Sequence, residues 1–130
     1  MSFSLFRNAL VAAACTTFVA SPALAHHSFA SEFDRDQPFS IEGSVNSIQW
    51  TNPHGWLHVD VEEDGETVTY EIELGSPSML MRQGWRRNDL VQGDKVTVTG
   101  FRARNRFNVG RATGISNSDG EAIFGQGIDD

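Results

Sequence analysis

Four histidines stand in two close pairs, His26 with His27 and His54 with His58. Imidazole is a ligand for copper, zinc and nickel. The first pair directly follows "SPALA", residues 21–25. A cut after Ala25 makes His26 a first residue, whose free α-amine and ring nitrogen can chelate one ion. A further imidazole, from His27, His54 or His58, then completes the nitrogen-rich square-planar set that Cu(II) prefers. Another divalent metal is the alternative occupant. The ligands must be neutral imidazoles, so binding is expected to weaken below about pH 6 as the rings protonate. The competing reading is plain: histidines at no fixed spacing are a weaker metal signal than a CxxC pair or an HExxH helix. They can equally be ordinary polar residues of an arm, a turn and a strand.

A second set of residues could grip a ligand without a metal. Trp50 and Trp56 flank the turn "TNPHG", Trp85 follows a short helical stretch, and "FRARNRFNVGR" gathers Arg102, Arg104 and Arg106 beside Phe101 and Phe107. Arginines next to aromatics can hold an anion or stack on a flat ligand, and an unidentified small ligand or partner protein is the expected occupant. Packing and solubility are the competing role for most of these arginines. Catalytic signatures are missing: there is no glycine-rich phosphate loop, nucleophile elbow or HExxH helix, so no catalytic residue is assigned and no enzyme is expected. The acids Glu62, Glu63, Asp64 and Glu66 crowd a hairpin tip and read as a solvated turn.

The elements that must position these residues begin after an export signal. Met1 to Asn8 carries one basic residue and no acid, Ala9 to Ala20 is nearly all apolar, and Ala23-Leu24-Ala25 offers the small residues a signal peptidase reads. The apolar run is too short to span a bilayer. Residues 1–25 are therefore read as a signal peptide, with a periplasmic or secreted destination and no transmembrane segment after cleavage. A rival cut exists at Ala12-Ala13-Ala14-Cys15, which resembles a lipoprotein cleavage box. Cys15 is the one cysteine, so the mature chain is expected to form no disulfide. Signal removal leaves nine basic and 17 acidic side chains, a net charge of −8. Such a chain repels nucleic acid. His26 to Gly75 holds 11 of the acids and one base, which predicts an acidic side and a mildly basic one.

Residues 26–38 lack period and are read as an N-terminal arm. Residues 39–124 are the domain, and 125–130 a tail. In "FSIEGSVNSIQW", Phe39, Ile41, Gly43 and Val45 share one face while Ile48 and Trp50 fall in the other phase, which requires a bulge. "WLHVDV" and "TVTYEIEL" alternate around an Asp64-Gly65 turn. Leu57, Val59, Val61, Val68, Tyr70, Ile72 and Leu74 point inward, and Thr67, Thr69, Glu71 and Glu73 outward. Ser76, Pro77 and Gly84 delimit a short helix over 77–83. Strands with Val96 and Val98 inward, over 108–116, and at "EAIF" complete the chain. Long bent strand, hairpin, helix and two further strands is the order of an OB-fold. The expectation is a mostly β, small OB-like barrel of five to six strands with one short helix between strands three and four. A β-sandwich is the alternative.

"AHHSFASEFD", "WTNPHGW", "ELGSP", Gly84-Trp85 and "GDKVTVTG" together resemble an uncharacterised family of small exported bacterial proteins, the domain of unknown function DUF6152. The likeness runs over essentially the whole mature chain and implies an exported, OB-like bacterial β protein, with no reaction to carry over. "ARNRFN" departs from a more glycine-containing turn in similar proteins.

Overall fold

The computed structural model describes residues 30–124. The signal peptide and its cut, His26, His27 and the tail at 125–130 lie outside the described residues.

Local pattern dictates the central hairpin. Strand β2 (Trp56–Glu63) and strand β3 (Glu66–Glu73) pair antiparallel in unbroken register from Trp56↔Glu73 to Glu63↔Glu66. Asp64 and Gly65 join them at φ 51° and 86°, the left-handed pair that matches strand twist in a two-residue turn. Strand β1 (Phe33–Gln49) pairs with β2, and its register slips between Val45 and Ser47. Asn46 is the extra residue, so Val45 and Ile48 both reach the core side, which is the phase change the sequence requires. On β1, a Cβ at Gly43 would collide with the Asp60 carbonyl of β2.

Strand β1 begins earlier than its periodicity suggests. Phe33 and Asp34 pair with Ala103 and Arg102, and after an irregularity the register resumes at Pro38↔Phe101. Half of the stretch read as an arm is thus strand, held by a partner far away in sequence. Strand β4 (Lys95–Ala103) then pairs with strand β5 (Val109–Asn117), and β5 with the short strand β6 (Ala122–Phe124).

The expectation of an OB-like barrel is corrected by the sheet. Six strands form one sheet in the order β3-β2-β1-β4-β5-β6. It curls until β3 meets β5, but only through three parallel pairs, Glu71↔Val109 to Glu73↔Arg111. Farther along the same edge of β5, β6 pairs at Ile115 and Ser116. No ladder seals the sheet along its length, so it is a curled sheet touching itself at one end and not a closed barrel. One sheet is also not a sandwich of two.

Within the curl lie Ile41, Val45, Leu57, Val59, Ile72, Val96, Val98 and Ile115, all buried. Full burial of each such side chain contributes about 2 kcal/mol. Helix α1 (Pro77–Arg82) closes part of this core with Leu80, which is fully buried. Ser76 caps the helix, its hydroxyl accepting from the Met79 amide at 3.3 Å, and Gly84 leaves it at φ 93°.

Candidate functional site

The turn after β1, "TNPHG", is pinned to the end of β3. Thr51 Oγ1 donates to the His54 carbonyl at 2.9 Å, the Gly55 amide donates to Gly75, and the Leu74 amide donates to Gly55. The Asn52–Pro53 peptide within it is cis. These bonds set the His54 ring beside Glu73, the last residue of β3.

Glu73 faces Trp56 across the hairpin and Arg111 across the parallel seam, so it is flanked on both sides. Alternation places it on the face opposite the core, yet it is 4 % exposed. Its Oε1 lies 2.6 Å from Arg111 Nη1 and 2.6 Å from His54 Nδ1. Burial pushes the Glu73 carboxyl above the usual carboxylate range, while the charges of Arg111 and His54 pull it back and that of Glu32 adds to the rise. The His54 side chain is 44 % exposed, and its Nε2 has no hydrogen-bond partner among the described residues. The corner therefore presents an open imidazole backed by a buried carboxylate and an arginine.

The N-terminal arm is tied to the neighbouring strand end. The Arg104 amide donates to the Glu32 carbonyl at 2.9 Å, and Arg104 Nε donates to the Ala30 carbonyl at 3.0 Å. Its guanidinium also lies 3.3 Å from Asp34. Phe33 is buried beside this tether but outside the main core cluster.

His58 sits differently. It stands on the outer face of β2, and its Nδ1 is 3.2 Å from Ser47 Oγ on β1, the side away from β3. It also helps hold the neighbouring Asp60 carboxyl below its usual range, after the hydrogen bonds from Asn46 and Thr69. Among the described residues no group of three or more His, Cys, Asp or Glu side chains could hold a metal ion. Glu42, Asp60, Glu62 and Lys95 line an outer groove of about 560 Å³.

The aromatic and arginine set is largely absorbed by the fold. Trp85 is 1 % exposed and belongs to the core, so it offers no surface platform. Trp50 packs edge-on against it at 5.7 Å, with the Arg87 guanidinium 5.9 Å from the Trp50 ring centre. Trp56 is half-buried. Arg102 lies over the rings of Phe39 and Tyr70 and donates to the Phe107 carbonyl. Arg106 pairs with Glu71 at 2.8 Å, and Arg104 holds the arm. Phe107 remains 61 % exposed, edge-on to Tyr70. Sequence reasoning missed Glu73 and Arg111, because alternation marks Glu73 as solvated and no local signal pairs β3 with β5.

These features define a small curled-sheet β protein with a corner at which an exposed imidazole meets a buried carboxylate and its guanidinium partner. The chain belongs to the family of unknown function DUF6152, whose model matches residues 14–116. No curated protein matches it. Among the described residues, no helix is long and apolar enough to cross a membrane.

Proposed function

We propose that this protein is an exported binding module that takes up Cu(II), or another divalent metal, through His54 and the histidines of its N-terminal arm. In this reading His26 supplies its α-amine and ring after cleavage at Ala25, and His54 supplies a further imidazole, with His27 adjacent. What supports it is the double hold of Arg104 on Ala30 and Glu32, which anchors the start of the described chain, together with the half-exposed ring of His54. His26 stands four residues before Ala30, a span of at most about 14 Å of chain. The outer position of His58, turned to Ser47, favours His54 as the third ligand. Export rests on the signal-like sequence before His26.

The test is intact mass spectrometry of the exported protein, followed by calorimetric titration of that material with Cu(II). A mature mass beginning at His26 and one Cu(II) per chain are expected. A different first residue, or tight binding that survives His26→Ala, contradicts the terminal chelate.

A further inference from the structure

The stretch from α1 toward β4 crosses the core on three anchors. Leu80, Trp85 and Leu90 are buried in it, and Met81, Arg82, Arg86, Arg87 and Val91 beside them are all exposed. Backbone bonds hold this arrangement: the Trp85 amide donates to the Leu80 carbonyl at 3.0 Å and the Asp89 amide to the Arg86 carbonyl at 3.1 Å. Residues 80–91 carry three arginines and one acid, Asp89, on a chain whose net charge is −7. That acid closes a turn, its Oδ2 accepting from the Arg86 amide at 2.7 Å. Among the described residues Arg82, Arg86 and Arg87 make no ion pair, whereas Arg104, Arg106 and Arg111 each meet a carboxylate. Arg86 donates to the Met81 and Trp85 carbonyls, and Arg87 lies over the Trp50 ring. Of the three exposed large apolar side chains among the described residues, two are here, Met81 at 50 % and Val91 at 53 %.

We propose that this basic stretch, Arg82, Arg86 and Arg87 with Met81 and Val91, is a docking surface for an anionic phospholipid membrane. The proposal is separate from the metal reading and uses none of its histidines. Charge complementarity selects an anionic partner: guanidinium groups without a carboxylate present forked donors that match phosphate oxygens. The acids of the outer groove, Glu42, Asp60 and Glu62, are repelled by the same surface, which turns the arginine face toward it. The apolar side chains favour a bilayer over another polyanion. Side chains such as Met81 and Val91 gain by shallow burial at the boundary of headgroups and acyl chains, where basic residues and apolar tips act together. An acidic peptide would reward the arginines alone.

The test is sedimentation of the signal-cleaved protein with vesicles of equal phosphatidylglycerol and phosphatidylcholine, against vesicles of phosphatidylcholine alone. Binding to the anionic vesicles only, lost at about 1 M salt, is expected. Equal binding to both, or binding to neither, overturns the proposal. The double variant Arg82→Gln, Arg87→Gln should partition about 25-fold more weakly, at about fivefold for each charge removed. Unchanged partitioning overturns the assignment to this stretch. A second pair, Met81→Ser with Val91→Ser, should weaken vesicle binding and leave binding to polyglutamate as it was. If polyglutamate binds as tightly as the anionic vesicles and this pair alters neither, the partner is an acidic protein segment and the lipid assignment falls. All four substituted residues are exposed, so the variants keep the buried anchors intact.

Discussion

Glu73 on β3 and Asp60 on the adjacent strand β2 sit on the same side of the sheet and respond to their surroundings in opposite senses. Burial raises the Glu73 carboxyl, so the native state holds that proton more tightly than the unfolded chain does, and its contribution to stability falls as pH rises through that interval. Asp60 is held low by Asn46 at 2.9 Å and Thr69 at 2.6 Å. Its contribution is present above the ordinary carboxylate value near 4 and is lost as pH falls through the lower folded value. Thermal unfolding of the double variant Asn46→Ala, Thr69→Ala should therefore show a deficit against wild type at pH 6 that narrows at pH 2. Truncating Glu73 to Ala leaves Arg111 enclosed without its carboxylate, and urea unfolding should record a loss of about 3 kcal/mol. Alternation alone marks Glu73 as a solvated strand residue. Its burial comes from Arg111, which arrives by a pairing between segments 38 positions apart.

At the scale of elements, what is local in the chain is what the sequence discloses. The β2–β3 hairpin, the bulge in β1 and the capped helix each follow from a period, a phase change or a turn residue within a dozen positions. Leu80 is the one buried residue of α1, and Leu80→Ala should cost about 3 kcal/mol in urea unfolding. Ser76→Ala should cost about 1 kcal/mol by removing the cap on the Met79 amide. The start of β1 is less legible, because Phe33 to Pro38 become strand only through a partner in β4, and the aperiodic "FDRDQP" gives no sign of it. The arm follows the same logic. Arg104→Ala removes the Nε bond to Ala30 and the ion pair to Asp34, so hydrogen exchange should quicken at residues 31–34 while β2 and β3 stay protected.

For the molecule as a whole, strand order was readable and closure was not. The order of elements suggests a sealed barrel, yet sealing depends on how far β3 runs alongside β5, and the two pair at only three positions, with β6 pairing farther along at Ile115 and Ser116. Glu73, Arg111 and the His54 turn converge at that short seam. Of the two described histidines, the seam supports one and leaves the other on the open face of β2. The account therefore distinguishes them in a single measurement: Cu(II) affinity of the signal-cleaved protein carrying either His54→Ala or His58→Ala. It predicts that His54→Ala weakens binding at least tenfold while His58→Ala leaves it unchanged; full affinity in His54→Ala, or the reverse order of effects, would contradict it.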